Sequence, residues 1–292
     1  MIDNMHKKNL KTLINSFNYK FFENISISRK KAFDDFFLRF YKNKIKNNIL
    51  TFFFDSKRKI YFSLYKDRNI KAYEVLNYNE HKLFLIYDCA KKKYNYKKIA
   101  DIGANIGFHS IILDKLGYRV DSFEPDPDSF KILETNLKKN KCKKVKAYNF
   151  AVFNKEGIFN FTKVKNHPMA SHISGKKKAY GNLEYIKIKA LDIKSIIIKY
   201  DLVKIDAEGS EAEIICALKN KDLQKCDIVC EVTNLRNKEL IFKHCKKQNI
   251  LIYSSKNMWS LVKKKKNMPD NHTEGFIILS TKINFFEFIK QK

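Results

Sequence analysis

Three short clusters in this 292-residue sequence hold the residue types that chemistry needs: Asp101-Ile102-Gly103-Ala104-Asn105-Ile106-Gly107, Glu124-Pro125, and Lys204-Ile205-Asp206-Ala207-Glu208-Gly209-Ser210-Glu211. Paired glycines let a backbone turn approach a ligand closely. An acid about 20 residues beyond such a turn is placed to accept hydrogen bonds from ribose hydroxyls, the role expected of Glu124. The first two clusters therefore read as a nucleoside site. The third sets carboxylates side by side. Asp206 and Glu208, joined by Glu231 at the end of the next apolar run, can take a proton from an acceptor group. Hard oxygen ligands of this kind also suit Mg²⁺, with Asp206 and Glu231 as the candidate pair.

The spacing narrows the ligand. A dinucleotide fold calls for Gly-x-Gly-x-x-Gly, whose middle glycine admits a pyrophosphate. Here Asn105 occupies the middle of Gly-x-x-x-Gly, and Asp101 just before the turn would repel phosphate. A carboxylate there suits a cationic ligand with an amino-acid end, such as S-adenosylmethionine. Lys204 falls on the same strand face as Asp206 by alternation, as its ion-pair partner or as a substrate-side group. Glu211 and His172 are further substrate-side candidates. Ser210 and Glu213 match a capping box for the helix that follows, and His109 reads as a packing or cap residue.

These clusters need elements to hold them. Ile99–Ile102, Arg119–Phe123, Lys144–Ala151, Tyr200–Ile205, Cys226–Val232, Ile250–Tyr253 and Gly275–Ser280 read as strands, with helices between most of them. Asp126 and Pro127 open one helix and Gly117 closes another. Alternating strands and helices imply a doubly wound, mostly parallel α/β sheet. Phe153 to Val164 reads as a hairpin turning at Asn154–Gly157, and 166–180 as a polar loop. Asp192–Ile198 reads as a short helix. Upstream, Ile49–Phe54 and Ile60–Tyr65 predict a hairpin. Phe33, Phe36, Phe37 and Phe40 predict an amphipathic helix, and residues 70–90 a connection and helix. The expected division is an extension over residues 1–75 and a catalytic domain over 76–292.

The formal charge is +28, from 59 Lys+Arg against 31 Asp+Glu. Only six of the basic residues are arginine, whereas a phosphate-reading surface favours arginine's bidentate fork. The bias toward Lys, Asn, Ile, Phe and Tyr reads as base composition, so a nucleic-acid partner is not expected. Six cysteines without a Cys-x-x-Cys pair read as reduced thiols of a cytoplasmic protein. No apolar run is long enough for a transmembrane segment. Peripheral membrane contact and oligomeric state stay open.

With DIGANIG, FEPDP, NFAV and DLVKIDAEGSE in this order, the sequence resembles the FkbM family of S-adenosylmethionine-dependent methyltransferases, over roughly residues 80–231. The resemblance implies a class I, Rossmann-like methyltransferase fold of seven strands, the last antiparallel. It implies O-methylation of a hydroxyl, either of a sugar in a bacterial surface glycan or of a secondary metabolite. By position it assigns Asp101, Gly103, Ala104, Asn105 and Gly107 to the methionine end of the cofactor. Glu124 and Pro125 go to the ribose side, Phe150 and Ala151 to the adenine, and Asp206 and Glu208 to the acceptor. The alternative is an RNA methyltransferase using the basic surface.

Overall fold

A computed structural model of the chain describes residues 31, 34–35, 45–65, 78–165, 167–257 and 259–282. The Phe33–Phe40 helix expectation lies outside these residues. The first described unit is a three-stranded sheet of β1 (Ile45–Lys46), β2 (Ile49–Phe53) and β3 (Lys59–Ser63), which contains the expected hairpin. Helix α1 (Tyr78–Tyr94) follows. Then come β4 (Lys98–Ile102), α2 (Phe108–Lys115), β5 (Arg119–Phe123), α3 (Pro127–Lys139) and β6 (Val145–Tyr148). A side sheet is built from β7 (Ala151–Phe153), β8 (Gly157–Val164), β9 (His172–Ile173) and β10 (Leu183–Asp192). The main chain path resumes with α4 (Ile193–Ile197), β11 (Leu202–Ile205), α5 (Glu211–Cys216), β12 (Asp227–Glu231), α6 (Leu235–Lys247), β13 (Leu251–Ser254), β14 (Ser260–Leu261) and β15 (Phe276–Ser280).

The main sheet runs β14-β13-β15-β12-β11-β4-β5-β6. The block from β12 to β6 is parallel, and β15 enters antiparallel between β12 and β13. This is the expected class I methyltransferase-like fold with an antiparallel last strand. The sheet has eight strands rather than seven, because two-residue β14 adds to the β13 edge. Parallel β11 and antiparallel β15 are both buried along their whole length, as strands covered on both faces must be. The order reverses between β4 and β11, so the loops leaving these two strands face a common crevice.

Local chemistry explains most boundaries. Asp126 caps α3 by accepting from the Asp128 and Ser129 N–H groups, with Pro127 at the first helical position. Gly117 at φ +91° ends α2, and the Tyr118 N–H returns to the Leu113 carbonyl, closing the terminus.

Two expectations are corrected. The 144–151 strand breaks in two: Asn149 turns its amide onto the Glu124 and Pro125 carbonyls, and β6 and β7 then join different sheets. The stretch from Phe153 to Val164 is not a simple hairpin, because β10 lies between β7 and β8 and pairs with both. Alternation along the chain shows strands; it does not show that a later strand will insert between them.

The β1–β3 sheet packs on the same core as β4 and α2, with Phe52, Phe62 and Phe84 ringed around Phe108. Side chains of α3 also bind the backbone of β3. Asn136 and Asn140 each accept from and donate to it, at Ser63 and Tyr61, so two amides take the part of a neighbouring strand. No described helix is long and apolar enough to cross a membrane.

Candidate active site

Asp101 on β4 and Lys204 on β11 are directly opposed in the parallel register, and their side chains meet across the strands. The Lys204 Nζ lies 3.2 Å from Asp101 Oδ1, 3.4 Å from Asp206 Oδ2 and 3.3 Å from the Gly103 carbonyl. Ser110 donates to the other Asp101 oxygen at 2.6 Å. Both charged groups are essentially inaccessible, at 0% for Asp101 and 2% for Lys204. The lysine and its neighbours hold the Asp101 carboxyl below the usual carboxylate range despite burial, and the two aspartates hold Lys204 above its ordinary value. Lys204 thus ties the first cluster to the third through one hydrogen bond and two ion pairs.

The glycines serve this junction. Gly103 sits at φ +73°, and a Cβ there would lie 1.8 Å from the Asp206 carbonyl oxygen. A Cβ on Gly107 would lie 2.4 Å from Leu133 of α3. The close approach they permit is to protein, which the sequence alone assigned to ligand. Asn105, left-handed at φ +51°, turns its N–H onto Glu124 Oε2 at 2.7 Å, and Asp126 N–H binds Oε1 at 2.8 Å. Burial outweighs these donors and pushes Glu124 up to about 8. The Asn105 Oδ1 accepts from Ile106 N–H and from the hydroxyl of Tyr65, which also bonds Ser129.

Two joined cavities open over this junction, sharing Gly103, Asn105, Met169, Asp206 and Glu208 in their walls. The smaller, about 90 Å³, lies beside Glu124 and Pro125, against Ala151, Val152 and Phe161. The larger, about 560 Å³, is lined by Glu80, His109, Lys177, Lys204, Glu231 and Thr233 among others. Asp101, Gly107, Phe150 and Glu211 line neither. Asp101 stands behind Lys204. Glu211 is fully buried and accepts from the Ala207 and Gly209 N–H groups and from Asn237, so it is a brace of the loop rather than a substrate-side group. The expected Ser210–Glu213 capping box is absent: Ser210 makes no side-chain cap, and Glu213 pairs with Lys176 and Arg236.

The acids of the larger cavity differ in their partners. Asp206 meets Lys204, Glu208 meets Lys177 at 2.6 Å, and Glu80 meets His109 at 2.6 Å. The Glu231 carboxylate makes no hydrogen bond or ion pair to a described residue. Burial first, then Asp206 and Glu208 nearby, hold Glu231 well above the usual range. Burial and Asp206 raise Glu208 to about 7. This donor set does not fit Mg²⁺. Ammonium groups already occupy Asp206 and Glu208, and among the described residues no three His, Cys, Asp or Glu side chains could hold an ion.

His172, within the stretch expected to be a polar loop, is instead in β9, 2% exposed, and lines the smaller cavity. Sequence reading missed Glu80, Lys177 and Thr233. Glu80 and Lys177 sit among ordinary helix and loop lysines and acids, and only the fold brings them to the cavity.

The strand order and its antiparallel insertion are those of a class I methyltransferase-like fold. The Methyltransferase FkbM domain model matches residues 101–264, more than half of the chain, and the protein belongs to this family of S-adenosylmethionine-dependent methyltransferases. None of the curated proteins compared with the chain matches it. Solved structures similar to it include precorrin-6y C5,15-methyltransferase from Geobacter metallireducens, at 17% identity over 68% of this chain and 88% of that one, TM-score 0.40. Methyltransferase FkbM from Methylobacillus flagellatus matches at 16% identity over 71% of this chain and 53% of that one, TM-score 0.39. A Pyrococcus abyssi tRNA (uracil-54, C5)-methyltransferase in complex with S-adenosyl-L-homocysteine matches at 11% identity over 80% and 44%, TM-score 0.37.

The smaller cavity fits the nucleoside of this cofactor on its own features. Its wall is apolar at Phe123, Val152 and Phe161, and polar at Glu124. Its lining Ser210 Oγ is buried without a hydrogen-bond partner among the described residues.

Proposed function

We propose that the enzyme methylates a hydroxyl oxygen of a polyhydroxylated acceptor, a sugar of a bacterial surface glycan or a secondary metabolite. The observation that carries this reading is Glu231: a carboxylate with no partner among the described residues, raised above its usual range, in the wall of a 560 Å³ cavity that shares wall residues with the nucleoside pocket. A raised carboxylate is a better proton acceptor, and the cavity has room for a sugar unit.

The bound cofactor supplies an electrophilic methyl on a sulfonium. The chain's part is to align the acceptor and receive its proton. With that methyl bound, Glu231 would take the proton of the hydroxyl while the methyl–sulfur bond breaks and the sulfur leaves as a neutral thioether. Asp206 and Glu208, held by Lys204 and Lys177, accept hydrogen bonds from neighbouring hydroxyls. Glu124 and Pro125 take the ribose side, Ala151 the base, and the Gly103–Asn105 turn the amino-acid end. Asp101 acts through Lys204. The six free thiols support a reducing, cytoplasmic setting.

The test is transfer of labelled methyl from S-adenosylmethionine to extracted glycans, with and without EDTA. Wild type is expected to label a hydroxyl in both conditions. Glu231→Gln is expected to lose about 10²–10⁴-fold in kcat with S-adenosylhomocysteine affinity unchanged. Absence of transfer to every glycan and metabolite fraction overturns the reading. The +28 charge favours RNA as a second acceptor. That reading requires RNA binding that falls steeply with salt, and the five carboxylates in the cavity wall, Asp34, Glu80, Asp206, Glu208 and Glu231, oppose a phosphate chain there.

A further inference from the structure

We infer that His172 reads the adenine of the cofactor, accepting a hydrogen bond from its exocyclic amine through Nε2. This rests on the smaller cavity being the nucleoside pocket.

Three observations lead there. His172 is 2% exposed yet lines that cavity. Its Nδ1 lies 2.8 Å from the Ala170 carbonyl, which can only accept, so Nδ1 carries the hydrogen. In the neutral ring Nε2 is then a bare acceptor, and it makes no hydrogen bond to a described residue. An acceptor in a cavity wall with no protein donor is open to a donor on the ligand that fills the cavity.

The surroundings define the donor. β9 pairs with β8, setting Ile173 opposite Phe161 and His172 opposite Thr162. Phe161, Ala151 and Val152 make the same wall apolar, as suits a flat heterocycle. Adenine offers three ring acceptors and one donor group, the 6-amino group. An imidazole fixed as an acceptor can pair only with that donor. Hypoxanthine presents a carbonyl there and would set lone pair against lone pair. Sites built around one such hydrogen bond reject the analogue that lacks it.

The experiment is calorimetric titration of the whole protein with S-adenosylhomocysteine and with S-inosylhomocysteine. Wild type is expected to bind the adenosyl compound at least tenfold more tightly. In His172→Phe, similar in bulk but without an acceptor, adenosyl affinity falls at least tenfold, inosyl affinity holds, and the preference collapses. Equal binding of the two by wild type, or a preference that survives in His172→Phe, overturns the inference. Failure of wild type to bind either compound overturns the nucleoside-pocket reading itself. A second measurement covers a variant that does not fold. In wild type, the Nε2 ¹⁵N resonance of His172 is expected to move on adding S-adenosylhomocysteine and to stay on adding the inosyl compound. An unmoved resonance with the adenosyl compound overturns the proposal.

Discussion

Lys204 is the residue on which the site's geometry turns. A buried ion pair gives little net stability over an apolar replacement, yet removing one partner leaves an uncompensated charge. Lys204→Met leaves Asp101 buried at 0% exposure with its nearest counter-charge removed and the Ser110 hydrogen bond remaining. The expected cost is about 3–5 kcal/mol, read as a lower urea midpoint. The double variant Lys204→Met with Asp101→Leu should recover much of the loss; a single variant as stable as wild type would show that the pair holds nothing together. The sequence made part of this legible. Strand alternation put Lys204 and Asp206 on one face, but parallel register, which no local pattern encodes, chose Asp101 as the second partner. Glu211 shows the same limit: one residue past Ser210, its side chain turned inward to backbone N–H groups that the motif left unsatisfied.

Among the elements, the loop after β4 and the loop after β11 behave as one piece. Gly103 is required because the Asp206 carbonyl occupies the space of its missing Cβ. Gly103→Ala must displace the acidic loop or strain a left-handed position, each a cost of about 1–3 kcal/mol. Both stability and cofactor affinity are expected to fall, the first in thermal melts and the second in S-adenosylhomocysteine titrations. Unchanged values for both would show that the two loops move independently. Capping signals made helix boundaries readable at Asp126 and Gly117, because a cap is local chemistry. The side sheet was not readable as such. Its strands alternate visibly, but β10 (Leu183–Asp192) inserts between β7 and β8 only after the chain has passed through β9, and pairing order is a property of closure. The extra edge strand β14 is only two residues long and leaves no pattern to find.

Across the whole molecule, a strongly basic chain surrounds an acidic cavity. The carboxyls of Glu124, Glu208, Glu211 and Glu231 all sit above their ordinary 4.5, with burial as the largest cause. Each holds its proton more firmly folded than unfolded. Their stabilising contribution is full below about 4.5 and is lost as pH rises through the folded values, near 7 for Glu208 and 8 for Glu124. His272, lowered by burial and Lys177, works in the opposite sense as a single group. The ligand-free protein is therefore expected to melt at lower temperature at pH 8 than at pH 5.5, with a smaller difference in Glu231→Gln. Calorimetry at matched ionic strength checks this, and a melting temperature that climbs steadily to pH 8 would count against it.

The Tyr65 hydroxyl, bonded to Asn105 and Ser129, reaches the turn after β4 from outside the 101–264 segment that the family model matches. Grafting has to respect that reach. A chimera that exchanges only the shared segment would strip Asn105 of its brace while leaving every signature residue in place. Transplanting acceptor preference between relatives calls for carrying 45–100 along with the motifs.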